Sequence, residues 1–221
     1  MPLHINISLY HYKAYGEPSR RRYLAGNITS AWPGGKERVL GRDFFDRPAA
    51  AVAADLIGCT LTVDGVGGVI VETEAYDAGD PASHCFGGKT ARNASMFGPP
   101  GHAYVYRSYG LHWCLNFVCT IASGVLIRAI EPRVGIERMI ERRGMANDRL
   151  LCAGPGRLCQ ALGVDARLDG QSLYRPPFEV LAGDPSAAVG AGPRIGITRA
   201  VETPWRFWLD GSRFLSRPAK A

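Results

Sequence analysis

The strongest constraint on the fold is a run of alternating residue types between positions 69 and 76. With a period of two, one face of a strand carries Val69, Val71, Thr73 and Ala75, and the other carries Ile70, Glu72, Glu74 and Tyr76. The first set suits a hydrophobic core, so the run predicts a half-buried strand that presents two carboxylates and a ring on its other face. The alternative is an edge strand whose glutamates are solvated.

A second predicted strand, within residues 101–116, is rich in tyrosine. Tyr104 and Tyr106 share one face, and Tyr109 precedes Gly110, which indicates a turn. Carboxylates beside tyrosine rings would suit activation of a water molecule next to a flat ligand. The alternative is that the tyrosines are ordinary core residues.

The charge distribution also singles out this region. Residues 81–130 contain no Asp or Glu but include the cations Lys89, Arg92, Arg107 and Arg128. Such a surface would suit a polyanion, although buried segments also lack carboxylates. The Gly- and Pro-rich residues 97–101 favour partial exposure.

The chain has 221 residues and a net charge of +6, which is concentrated near the beginning. We interpret residues 1–36 as a mobile basic tail, or an over-long start, and residues 37–221 as one domain. No apolar run approaches the ~18 residues expected of a membrane span. The first residues lack a secretory pattern, so we expect a cytoplasmic protein, associated with the bacterial nucleoid or located in a eukaryotic nucleus.

The six cysteines contain no C-x-x-C pair, so we expect buried free thiols and no metal site. Helices are predicted for residues 46–58, with Asp46 as the cap, and for residues 132–144 and 150–163. Strands are predicted for residues 59–63, 125–130, 194–198 and 205–209, with a hairpin turn at Asp64-Gly65 and a long irregular stretch over residues 77–101. Strands and helices do not alternate regularly, so the predicted class is α+β.

Several kinds of site are absent from the sequence, including a phosphate-binding loop, a zinc deaminase motif and a nucleophile elbow. The remaining signal is an activated carboxylate, a buried arginine and stacked aromatic rings. This set suits hydrolysis of a glycosidic bond to a planar base, because water needs a base and the leaving ring must be held flat.

Several segments carry a family resemblance: residues 71–76, Arg92-Asn93 with Met96-Phe97, residues 104–110, Asn116, residues 126–132 and residues 154–162. In this order they resemble the alkyladenine (3-methyladenine) DNA glycosylase family. The resemblance implies a curved, mainly antiparallel sheet with flanking helices and a protruding hairpin that enters DNA. It also implies a monofunctional enzyme that needs no cofactor or metal and releases damaged purines from duplex DNA.

The resemblance also implies roles for the residues of the site. Glu74 would be the general base, Arg128 would hold the attacking water, and the backbone of Ile195 would help to hold it. The flipped base would contact Tyr76, Tyr106, His84 and Asn116, with Asn116 crowding the purine 2-amino group.

The DNA itself would meet a different set of residues. Tyr109 would fill the gap left by the flipped nucleotide, and Arg92, Met96 and Leu111 would contact the DNA. The expected partner is double-stranded DNA with damaged purines, approached from the minor groove by a monomer.

Three other functions remain open at this point. The first is a non-catalytic protein that binds damaged DNA, and the second is a hydrolase of free nucleosides. The third is a glycosylase with lyase activity through a lysine nucleophile, for which Lys89 is the nearest candidate.

Overall fold

The computed structural model describes residues 38–184 and 186–219, so the predicted tail at residues 1–36 lies outside the described residues. The strands are β1 (Thr60–Val63), β2 (Val66–Tyr76), β3 (Ala103–Ser108), β4 (His112–Val118), β5 (Gly124–Val134), β6 (Phe178–Leu181), β7 (Val189–Gly192) and β8 (Arg206–Leu209). The helices are α1 (Arg42–Phe45), α2 (Ala49–Asp55), α3 (Ile136–Arg143), α4 (Asp148–Leu151) and α5 (Pro155–Leu162).

All eight strands belong to one curled, antiparallel sheet that forms a half-barrel. The main path runs β3-β4-β5-β2-β1-β6, while β8 pairs with β2 and β7 pairs with β8. The predicted α+β class is confirmed. Strand β2 is central, since β5 lies along one of its edges and β1 and β8 share the other.

The β1–β2 hairpin follows directly from its turn residues. Asp64 and Gly65 both adopt left-handed conformations, with φ of 54° and 68°, as a two-residue hairpin turn requires. The predicted turn is therefore confirmed. Further along, a Cβ on Gly68 would overlap the backbone of Glu131, so glycine permits the close approach of β5.

A bulge in β2 changes the predicted pattern of faces. The register with β5 shifts between Ile70 and Thr73, which reverses the alternation within the strand. Ile70 lies in the main core, whereas Val71 packs with Phe214 in a separate cluster. The expectation that residues 69 and 71 share the core face with residues 73 and 75 is therefore wrong.

The helix predictions are correct in place but not in extent. The helix expected over residues 46–58 covers only Ala49–Asp55, and Asp46 ends α1 instead of capping α2. Strand β5 continues to Val134, so α3 begins only after Gly135, whose φ is 68°. Gly154 separates α4 from α5, which starts with Pro155 at its first position.

The two strands predicted after residue 190 have different outcomes. Residues 194–198 contain no strand in the structure, whereas β8 confirms the strand expected at residues 205–209. Strands β6 and β7 were not predicted. No helix in the described ranges is long and apolar enough to cross a membrane.

The main core lies between the inner face of the sheet and the helices. Phe45 of α1 meets Phe117 of β4 edge to face at 5.9 Å. All six cysteines are buried and free, which confirms the expected thiols.

The connection from β2 to β3 is irregular, as predicted, except for a short 3₁₀ turn at Ala94–Phe97. It is nevertheless held in place by Asn93. The Asn93 side chain donates to the carbonyls of His84 and Gly88 at 2.8 and 3.0 Å and accepts from the N–H of Thr90 at 2.6 Å. These bonds give the loop that carries His84 a defined shape.

Candidate active site

The register of the sheet brings residues from four distant segments into one row. Tyr104 of β3 faces Asn116 of β4, Asn116 faces Leu126 of β5, and Leu126 faces Glu74 of β2. Cross-strand partners of this kind point to the same side of a sheet. All four residues line a cavity of about 720 Å³, a volume typical of small-molecule sites.

Glu74 is fully buried and accepts three hydrogen bonds. Its Oε2 accepts from the Tyr76 hydroxyl at 2.8 Å and from Nη1 of Arg128 at 3.0 Å. Its Oε1 accepts from the backbone N–H of Ile195 at 2.6 Å. Since a carboxylate oxygen accepts two bonds, Oε1 keeps one acceptor position for a further donor.

Arg128 lies between two carboxylates. Its Nε donates to Glu72 at 3.0 Å and its Nη2 donates to the hydroxyl of Ser216 at 3.2 Å, while Nη1 faces Glu74. Burial alone would lower the pKa of Arg128, but Glu74 and Glu72 outweigh burial and hold that pKa above its ordinary value. The guanidinium is therefore a fixed cation beside Glu74.

Glu72 is buried behind this pair and faces only donors. It also accepts from Nε of Arg206 at 2.8 Å and from the backbone N–H and hydroxyl of Ser216 at 2.6 and 2.9 Å. Two carboxylates thus meet two guanidiniums in one buried, charge-balanced network, which the final segment of the chain covers.

Aromatic rings form the walls of the cavity. Tyr104 and Tyr106 stack with centroids 5.3 Å apart, and His84 meets Tyr106 edge to face at 4.5 Å. Burial raises the pKa of Tyr76, Tyr104 and Tyr106 well above the ordinary value, so these hydroxyls stay protonated. Burial chiefly, with the charge of Arg92, lowers the pKa of His84, which favours the neutral imidazole at neutral pH.

Asn116 lines the cavity and is held rigidly. Its Nδ2 donates to the backbone carbonyl of Tyr104 at 3.1 Å, and only 6% of the residue is exposed. This hydrogen bond and the burial therefore hold the Asn116 side chain in one orientation beside the rings.

The β3–β4 hairpin exposes an apolar tip beside the cavity. Tyr109 is 89% exposed and Leu111 is 71% exposed. Tyr109 also has φ of 49°, a left-handed conformation that costs energy for a tyrosine. An exposed ring on strained backbone is characteristic of a functional position.

The remaining predicted DNA contacts separate into two locations. Arg92 is exposed and its Nη2 donates to the carbonyl of Arg107 at 3.3 Å, near the tip of the hairpin. Met96 is only 3% exposed and packs in a cluster with Tyr104 and Val118. Met96 is therefore part of the cavity wall, and its contact with DNA stays a prediction.

The candidate lysine nucleophile lies outside the cavity. Lys89 is exposed and is not among the cavity residues. Within residues 38–184 and 186–219, no group of three or more His, Cys, Asp or Glu side chains is arranged to hold a metal ion.

Sequence reasoning missed several residues that shape the site. Arg206 and Ser216 join the Glu72 network, and Arg194 pairs with Asp80 beside Tyr76. Asp169 accepts from the N–H of Val105. This carboxylate therefore lies beside residues 81–130, which contain no Asp or Glu. No spacing pattern in the sequence indicated these partners.

Comparisons with known proteins identify the family of this chain. The family model described as methylpurine-DNA glycosylase (MPG) matches residues 43–213. A relative from Granulibacter bethesdensis is 62% identical over 179 residues, which cover 78% of this chain and 85% of the relative. One from Rhizobium meliloti is 62% identical and covers 79% and 95%, and one from Rhodopseudomonas palustris is 54% identical and covers 89% and 100%. Each bears the name "Putative 3-methyladenine DNA glycosylase". This chain belongs to the methylpurine-DNA glycosylase family.

Proposed function

We propose that this protein is a DNA glycosylase that flips alkylated or deaminated purine nucleotides out of duplex DNA and hydrolyses their N-glycosidic bonds. The observation that carries the proposal is a fully buried carboxylate, Glu74, at the wall of a cavity lined by aromatic rings. The names of the bacterial relatives support an alkylated purine as the substrate. In a bacterium the reaction would take place on chromosomal DNA in the cytoplasm.

In the proposed reaction, Glu74 accepts a proton from a water molecule as the water oxygen bonds to the sugar C1′. The electron pair of the glycosidic bond leaves with the purine, and an abasic site remains. Arg128 holds and orients the carboxylate through a charge-assisted hydrogen bond from Nη1. The N–H of Ile195 orients Oε1 of the same carboxylate.

The purine would stack against Tyr76 and Tyr106, with His84 at its edge. Stacking does not distinguish purines, because every base has a π face. Selection against guanine falls to Asn116, whose side chain is fixed by the Tyr104 carbonyl and would crowd the 2-amino group.

The exposed hairpin tip would enter the minor groove. Tyr109 would fill the space of the extruded nucleotide, and Leu111 would lie beside it. Arg92 would neutralise a nearby phosphate, because it is exposed and bonds to the Arg107 carbonyl near the hairpin tip. We propose that the protein acts on DNA as a monomer.

Duplexes that each carry one lesion test the function directly. We expect single-turnover release of 3-methyladenine, 7-methylguanine, hypoxanthine or ethenoadenine, with an abasic site as the product. Activity on free inosine should be far lower than on duplex hypoxanthine, and borohydride should trap no covalent adduct. Lesion binding without release of any of the four bases would instead identify a non-catalytic binding protein.

Replacing Tyr109 with alanine should impair extrusion of the base more than the chemical step. Loss of the wedge should destabilise the extruded state by about a few kcal/mol, the scale of one unstacked step. The loss of single-turnover rate should be smaller when the lesion is in a mismatch, because an unpaired base is extruded more easily. Equal losses in matched and mismatched duplexes would contradict the wedge role.

A further inference from the structure

Arg194 is buried directly behind the cavity wall, where it contacts several parts of the site. Its side chain is 0% exposed and forms a two-pronged ion pair with Asp80, with one prong from Nη1 to Oδ2 and the other from Nη2 to Oδ1 at 3.0 Å. Its Nη1 also donates to the carbonyl of Ala75 in β2 at 2.9 Å. Its guanidinium carbon lies 4.6 Å from the centre of the Tyr76 ring. Arg194 itself does not line the cavity.

Two of the three donors to Glu74 adjoin this arginine. The Tyr76 hydroxyl, which donates to Oε2, belongs to the ring that stacks on the guanidinium. The N–H that donates to Oε1 belongs to Ile195, the next residue in the chain. Each oxygen of Glu74 therefore accepts a hydrogen bond from a group that adjoins Arg194.

Asp80 extends the same arrangement to the loop that carries His84. Its Oδ1 accepts from the N–H of Ala82 at 3.0 Å, and its carbonyl accepts from the N–H of Ser83 at 2.8 Å. Ala82, Ser83 and His84 all line the cavity. The ion pair thus joins the end of β2, the loop and the segment that contains Ile195.

We propose that Arg194, held by Asp80, is a positioning residue that orients Glu74 through the Tyr76 hydroxyl and the Ile195 N–H. It would touch neither the water nor the DNA. This inference rests on the proposed function, because the group that it positions is the proposed base.

The role calls for a guanidinium in particular. A planar fork binds both carboxylate oxygens of Asp80 and stacks on a ring at the same time, whereas an ammonium is a compact point charge. Arg194→Lys keeps the charge but loses the fork and the stack. It therefore separates a need for positive charge from a need for geometry.

The test compares chemistry with binding in Arg194→Lys and Asp80→Asn. At saturating enzyme, we expect the single-turnover rate constant to fall by roughly 10- to 100-fold in both, because displacement of a reacting group by about 1 Å costs up to ~10²-fold. The affinity for lesion-containing duplex should stay close to that of the unmodified protein. Unchanged rates in both variants, or equal losses of rate and affinity, would overturn the proposal.

A double-mutant cycle with Tyr76→Phe tests the route. Tyr76→Phe keeps the ring but removes the hydroxyl, so the two substitutions share a pathway and Arg194→Lys should cost less in that background. Losses that multiply fully would exclude the route through Tyr76.

The Arg47–Asp55 pair is a matched control, since Arg47 also stacks on a ring, Phe44, at 4.7 Å and pairs with an aspartate at 2.8 Å. Arg47→Lys and Asp55→Asn should leave the rate unchanged.

A structural readout separates this proposal from the proposed function. A crystal structure of Arg194→Lys should show the Tyr76 hydroxyl moved out of hydrogen-bonding distance of Glu74. That result is independent of whether any base is released. An unmodified protein that releases no base would reject the glycosylase function, whereas an unmoved Tyr76 in the variant would reject the positioning role.

Discussion

Glu74→Gln should lower the single-turnover rate of base release by roughly 10²–10⁴-fold, the usual contribution of a general base. Glutamine has nearly the shape of glutamate but cannot take a proton from water. Moreover, Tyr76, Arg128 and Ile195 all donate to this side chain, so an amide –NH2 group would face donors. The affinity for lesion-containing duplex should change much less than the rate, because Glu74 is proposed to act on water.

The measurement is base release at saturating enzyme, below the melting temperature of the variant, together with a binding titration on the same duplex. Glu137→Gln is a suitable control, since Glu137 is exposed on α3 and lies outside the cavity. It should leave the rate unchanged. A Glu74→Gln variant that kept more than about a tenth of the rate would show that Glu74 is not the general base.

Glu72→Gln should destabilise the fold by about 3–5 kcal/mol, the cost of removing one partner from a buried ion pair. The change leaves Arg128 and Arg206 with Glu74 as the only carboxylate in their network. The new –NH2 group would also face at least one donor, because one oxygen of Glu72 accepts from Arg128, Arg206 and the Ser216 hydroxyl and the other accepts from the Ser216 N–H. Both effects act on the folded state, where the side chain has no access to water.

Urea unfolding of the two proteins side by side measures this difference. Glu131→Gln is the matched control, because Glu131 pairs with Arg133 at 2.7 Å but both side chains are partly exposed, at 22% and 36%. Partly exposed pairs contribute about 0–1 kcal/mol. If Glu72→Gln cost no more than Glu131→Gln, the charge of Glu72 would not be needed to hold the two arginines.

The predictions that succeeded rest on local chemistry. Asp64-Gly65 forms its turn because few other pairs adopt two left-handed residues in succession. The helix predicted to end at residue 163 does end at Gly163, whose φ is 73°. In both cases the information lies within a few residues of the feature that it predicts.

The predictions that failed depend on partners distant in the chain. The bulge in β2 arises where β5 lies alongside, so periodicity within residues 69–76 did not reveal it. Strand β7 reads as glycine-rich coil and becomes a strand only because β8 supplies its hydrogen bonds.

By itself, the sequence determined which groups are available, where the Asp64-Gly65 turn falls and where α5 ends. It placed Glu74 and Tyr76 on one face of a strand, and the family resemblance marked Arg128 and Asn116 as their companions. Only the tertiary structure decided that Tyr104, Asn116, Leu126 and Glu74 form one row, and that Arg206, Ser216 and Arg194 stand behind it. The physical reason is that strand register is set by contacts between strands, and the buried charges pair across segments more than a hundred residues apart, as between Arg194 and Asp80 or Ser216 and Glu72. Neither pairing has a signature in local spacing.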